Sequence, residues 1–166
     1  MMPQPAGVRG RRLAVLLAVV AAGGQVALPT AVADNSRLNN GVATNIYTIH
    51  RQQHCAADVT VNPTLRLAAE WHTNDVLNNR TLNGDIGSDG SGVQDRASAA
   101  GYVGEVAETV AINPALAISG IELLNQWYAN PDYLAIMRDC TYTQVGVWSA
   151  NSLDRTVVVA VYGRPR

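Results

Sequence analysis

Near its end the chain runs Val157-Val158-Val159-Ala160-Val161, five apolar residues with no polar residue among them. A strand that faces water on one side alternates apolar and polar side chains, so a run without alternation is covered on both faces. With Thr156 before it and Gly163 after it, the segment reads as a strand over 156–163. Any fold for this chain therefore needs an apolar layer on each side of that strand.

Upstream segments can supply those layers. Leu38, Val42, Ile46 and Ile49 recur at steps of four, four and three, which predicts a helix from Ser36, as its cap, to about Gln52. Asn62-Pro63 offers a cap and a first-turn proline for a second helix. On it Leu65, Ala68, Ala69, His72 and Val76 share an inner face, and it should fail near Asn78-Asn79. A loop rich in glycine, serine and aspartate comes next, Gly84 to Gly92. Ser91 is placed to cap a short helix carrying Val93 and Ala97, with Gly101 as its left-handed exit. Asn113-Pro114 is read as the start of a longer helix with Leu116, Ile121, Leu124 and Trp127 inward. Asn130-Pro131 breaks it, and a shorter helical segment reaches about Arg138. Strands are expected over 105–112 and 142–149 besides the apolar run. Helices before and between strands imply an α/β fold, a three-layer α-β-α sandwich with a small, mainly antiparallel central sheet.

One strand carries a misplaced charge. Over 105–112, Val106, Glu108, Val110 and Ile112 share one face, so Glu108 stands in an apolar row. A carboxylate there must be neutral, hydrogen-bonded or open to a cleft, because burying it unpaired costs several kcal/mol. The expectation is that Glu108 hydrogen-bonds Tyr133 or a loop amide and holds a cleft together.

The N-terminus has the marks of an export leader: Arg9, Arg11 and Arg12, then an apolar run from Leu13, then Ala31-Val32-Ala33. The organisation read from this is a signal peptide over 1–33 and a single domain over 34–166. Glycines and a proline interrupt the apolar run before it reaches the ~20 residues of a membrane span. Without the leader, nine arginines face thirteen acidic residues, a net charge of about −4, and lysine is absent. The scattered arginines argue against nucleic acid as a partner. Cys55 and Cys140 both lie in the exported part, where an oxidising compartment favours a bridge over two isolated thiols. Such a bridge would close a loop worth up to roughly 4.5 kcal/mol.

Several short motifs stand in a telling order: Gly87-Ser88-Asp89-Gly90, Asp95-Arg96, Ala100-Gly101-Tyr102, Ala107-Glu108-Thr109, Trp127 with Asn130-Pro131, and Val145-Gly146-Val147. Together they resemble the bacterial, secreted branch of the CAP superfamily, the cysteine-rich secretory, antigen 5 and pathogenesis-related 1 proteins. The resemblance covers about residues 36–163. It implies the sandwich already inferred and a cleft built from two histidines and two acids, whose histidines bind a divalent metal in several members. Carried over, the first histidine position holds Asp85, the first acid is Glu108, the second acid position holds Asn130 and the second histidine position holds Tyr133. His72 could swing in as a replacement. The resemblance thus implies a candidate cleft of Asp85, Glu108, Asn130, Tyr133 and His72 with no metal site, no cofactor and no catalytic residue. The chain is accordingly expected to be a secreted, monomeric, non-enzymatic domain whose cleft binds a protein partner or a small apolar ligand such as a lipid or sterol. A divalent-metal-assisted extracellular hydrolase and a structural protein of the cell envelope are the alternatives.

Overall fold

A computed structural model describes residues 35–166, all within one unit, Ala31–Arg166; the leader expected over 1–33 lies outside the described residues. In chain order the elements are α1 (Ser36–Gln52), β1 (Thr60–Val61), α2 (Pro63–Asn78), α3 (Val93–Ala99), β2 (Gly104–Asn113), α4 (Gly120–Ala129), α5 (Pro131–Arg138), β3 (Gln144–Ser152) and β4 (Arg155–Pro165). The sheet order is β1-β3-β4-β2. Only β1 and β3 are parallel, while β3/β4 and β2/β4 are antiparallel.

The apolar run is the middle of β4, and Val157 to Val161 are all 0% exposed. Val157, Val159 and Val161 pack with Leu65, Ala68, Ala69 and Val76 of α2 and Ala97 of α3. Val158, Ala160 and Tyr162 pack on the other face with Val42, Ile46 and Ile49 of α1, Trp127 of α4 and Met137 of α5. The result is the three-layer sandwich, with each buried valine contributing at most roughly 1.5–3 kcal/mol. Contact is close where α2 crosses β3: a β-carbon on Gly146 would collide with the backbone of Leu65 and Arg66. Cys55 and Cys140 form a disulfide with a Cα–Cα distance of 5.2 Å, tying the segment after α1 to the one after α5.

Helix starts depart from the sequence reading in three places. Asn35, not Ser36, holds the cap position of α1. Gly92, not Ser91, precedes α3, and its amide is taken up by the Asp95 carboxylate at 2.9 Å. The largest departure is α4, which begins only after Ser119, whose hydroxyl accepts from the Glu122 amide. Asn113-Pro114 starts a loop instead, closed by the Asn113 side-chain amide donating to the Ala117 carbonyl at 2.9 Å. Leu116 and Ile121, expected inward, are 52% and 77% exposed, and Leu123 and Trp127 are the buried residues of α4.

Candidate functional site

Pairing with β4 sets Glu108 opposite Val161, so its side chain leaves the sheet on the α2/α3 side among Val106, Val110 and Ile112, where it is 3% exposed. The apolar row read from the sequence is therefore real. Its partner is neither Tyr133 nor a loop amide: Arg96 of α3 donates through Nη2 to Glu108 Oε1. The same guanidinium donates to the Ser91 carbonyl at 2.6 Å and to the Asp85 carbonyl at 2.8 Å. It thereby fastens the glycine-rich loop to the strand.

His72 of α2 is wholly buried, with Nε2 3.0 Å from the Gly84 carbonyl and 3.8 Å from Glu108 Oε1. Tyr133 of α5 donates its hydroxyl to Asp85 Oδ1 at 3.2 Å. Asp85, Glu108, Tyr133 and His72 thus meet in one cluster. Asn130 does something else: its side-chain oxygen accepts from the amides of Asp132 and Tyr133 at 3.0 and 3.3 Å, capping α5. Arg96 is the member that sequence reasoning left out. The signal was present, since positions 93, 96, 97 and 100 share one face of a helix, placing Arg96 between Val93 and Ala100.

Burial sets the protonation of the cluster. It pushes Glu108 up to about 7 against the pull of Arg96, and Glu108 Oε2 has no hydrogen-bond partner. Burial, then the Arg96 charge, holds His72 below its usual value, so its ring is neutral at pH 7. Tyr133 is pushed up to about 12 by burial and then by the Asp85 carboxylate it faces.

The residues present do not suit a divalent cation. A guanidinium already occupies the Glu108 carboxylate, Asn130 is committed to a helix cap, and His72 Nε2 faces a carbonyl that accepts its proton. Among the described residues, no three of histidine, cysteine, aspartate and glutamate are grouped to hold a metal. Neither loop serine faces a histidine base: Ser88 donates its hydroxyl to Asp75 Oδ1 at 2.7 Å, and Ser91 Oγ lies 3.4 Å from Arg96 Nη1.

The model of the cysteine-rich secretory protein family, CAP, matches residues 44–162. The chain belongs to the CAP family. No curated protein sequence matches it. This CAP fold is similar to an outer surface protein from Borrelia burgdorferi, at 14% identity and a TM-score of 0.70, over 80% of this chain and 96% of that one. It is also similar to an extracellular protein containing an SCP domain from Bacillus anthracis, at 16% identity and a TM-score of 0.60, over 78% of this chain and 42% of that protein. A cysteine-rich secretory protein from Staphylococcus aureus gives 11% identity and a TM-score of 0.57, over 78% and 40%. The chain therefore spans about two fifths of the length of the last two. At these identities the likeness is one of fold.

Proposed function

We propose that this CAP chain is exported as a single domain over 34–166 and acts as a non-enzymatic binding protein for a small apolar ligand. The ligand lies not in the cluster around Glu108, as the sequence alone implied, but in a groove beside α1. The observation that carries this reading is a cavity of about 430 Å³ in which an apolar wall of Leu38, Val42, Leu116, Ala117 and Ile118 meets the polar Asn35, Arg37, Asn45 and Thr156. That volume is in the range of small-molecule pockets, and an apolar wall with a few polar groups suits a ligand with an apolar body. The exposure of Leu116 supports the reading, since this apolar side chain lines the cavity and is left half in solvent. Export is supported by the leader, by the disulfide and by the family. No described helix is long and apolar enough to cross a membrane.

Gly41 makes the test clean. It lines the groove, and a β-carbon there meets nothing within 4 Å. Gly41→Trp should fill the space without disturbing the helix, because replacing a helical glycine does not cost backbone stability. Purified protein should retain labelled sterol or fatty acid above a denatured control, and Gly41→Trp should lose that retention. Equal retention by both proteins, or none by either, refutes the proposal.

Hydrolysis is the second reading, favoured by a carboxyl that titrates near neutrality beside a neutral imidazole. It requires activity that disappears in Glu108→Gln. A rate unchanged by that substitution and by chelator removes it.

A further inference from the structure

Next to the Glu108 cluster, but opening outward, a cavity of about 320 Å³ is walled by Trp71, His72, Asp75, Ser88, Asp89, Ser91 and Arg96. Its chemistry is one-sided. Asp75 Oδ2, Asp89 Oδ1 and Ser91 Oγ lie 3.1, 2.9 and 3.0 Å from the point where a β-carbon on Gly87 would stand, so three oxygens crowd one spot of the wall. Burial of Asp75 works against its charge, but the Ser88 amide, the Ser88 hydroxyl and the Asn79 side chain hold its carboxyl below the usual range. Ser91 does the same for Asp89. Both are therefore anions at neutral pH.

Neither anion has a cation of its own. Among the described residues neither Asp75 nor Asp89 forms an ion pair. Arg96 shares the wall, with its Nη groups held by Glu108, Asp85 and Ser91 and its Nε a buried donor without a partner. His72 adds an independent sign of an absent donor. With the Nε2 proton facing the Gly84 carbonyl, the neutral ring keeps a lone pair on Nδ1, and that buried atom has no partner. The wall thus offers two carboxylates without an ion pair and a buried acceptor, His72 Nδ1, against the single guanidinium of Arg96.

At the rim Trp71 is 41% exposed, an aromatic face left in water beside two carboxylates. An indole with adjacent anions is the arrangement that attracts an organic cation, through its ring face and by direct charge. We propose that this recess binds an ammonium group, with Trp71 against its alkyl and cationic surface and Asp75 and Asp89 as its counter-charges. The chemistry is shared by a lysine side chain or polyamine and by a choline head group. The site is separate from the apolar groove, so either can fail without the other.

The test is a titration of the purified, isotopically labelled protein, following the Trp71 indole N–H and the Gly87 and Gly90 amides. Probes are cadaverine, Nα-acetyl-lysinamide and choline, with Nα,Nε-diacetyl-lysinamide as the uncharged control and calcium chloride as a hard cation. The ammonium compounds should shift these resonances and the diacetyl compound should not. Trp71→Ala and Asp89→Asn should each weaken binding about tenfold. Added salt should weaken it further. Tighter binding of choline assigns a quaternary head group, and tighter binding of the primary amines assigns a basic peptide or polyamine; both support the site. No shift with any ammonium compound, equal binding of the diacetyl control, or a response to calcium alone overturns it.

Discussion

Replacing Glu108 by glutamine should flatten the dependence of stability on pH, and the structure gives the size of the effect. Burial raises the folded-state value to about 7 from 4.5. The native state therefore takes up a proton that the unfolded chain releases, so the stability tied to this group is fully present below 4.5 and is lost as pH rises through 7. Integrated over that interval, the wild-type protein should lose about 2–3 kcal/mol through this group between pH 5 and pH 8. The carboxyl is 1% exposed, so solvent screening takes little from the figure. His50 and His72 act in the opposite sense: burial lowers both, so the stability they hold is present above 6.5 and is lost as pH falls. They occur in both proteins, and the difference between the two profiles isolates Glu108. The glutamine amide carries the same charge as the protonated acid, so at pH 5 Arg96 faces a neutral group in both proteins and any offset between them there comes from hydrogen bonding alone. Urea unfolding followed by tryptophan fluorescence at pH 5, 6, 7 and 8 measures both quantities. Parallel profiles, differing only by a constant, would refute the assignment of a buried carboxyl titrating near neutrality.

Three further outcomes are expected. Replacing Cys55 and Cys140 together by serine should lower unfolding free energy by up to about 4.5 kcal/mol, because the bridge spans a separation of 85 residues; equilibrium denaturation reads the loss. Gly146→Ala should prevent native packing of α2 on β3, since its new methyl would run into the backbone of Leu65 and Arg66; loss of the cooperative thermal transition is the readout. Tyr133→Phe removes the hydroxyl that bonds Asp85 and the Val110 backbone and should cost about 1–2 kcal/mol, with a midpoint shift in urea as the measure and an unchanged midpoint counting against those bonds.

What the sequence made legible has a physical boundary. The strand bearing Glu108, the unalternating β4 and the stripes of α1 and α2 could be read because a side chain's face is set by backbone period alone. The cap at Asn62 could be read for the same reason, since it depends on neighbours two and three residues away: its oxygen accepts from the amides of Thr64 and Leu65 at 2.8 and 3.2 Å. Two-residue β1 could not be read, because Thr60 and Val61 carry no period and are a strand only by pairing with Gln144 and Val145. Asn113-Pro114 misled for a related reason: the pair resembles Asn62-Pro63, but the Asn113 side chain closes a turn on Ala117 rather than capping a helix. In the site, residue types and faces were visible while partners were not. Arg96 and Glu108 are twelve residues apart, and only the packing of α3 on the sheet decides that the guanidinium, not Tyr133, reaches the acid.

The sheet order carries one more implication. Neither β2 nor β3 pairs with the other, and each finds its antiparallel ladder only in β4, which follows every other described element. A chain emerging from its N-terminus can wind its helices as it appears, but its sheet has no middle until Arg155–Pro165 arrive. Until then the two hydrophobic layers have nothing to close upon. Removing those residues should therefore leave not a trimmed domain but two halves without a keystone, and the amides of 157–161 should be the last in the molecule to exchange with solvent.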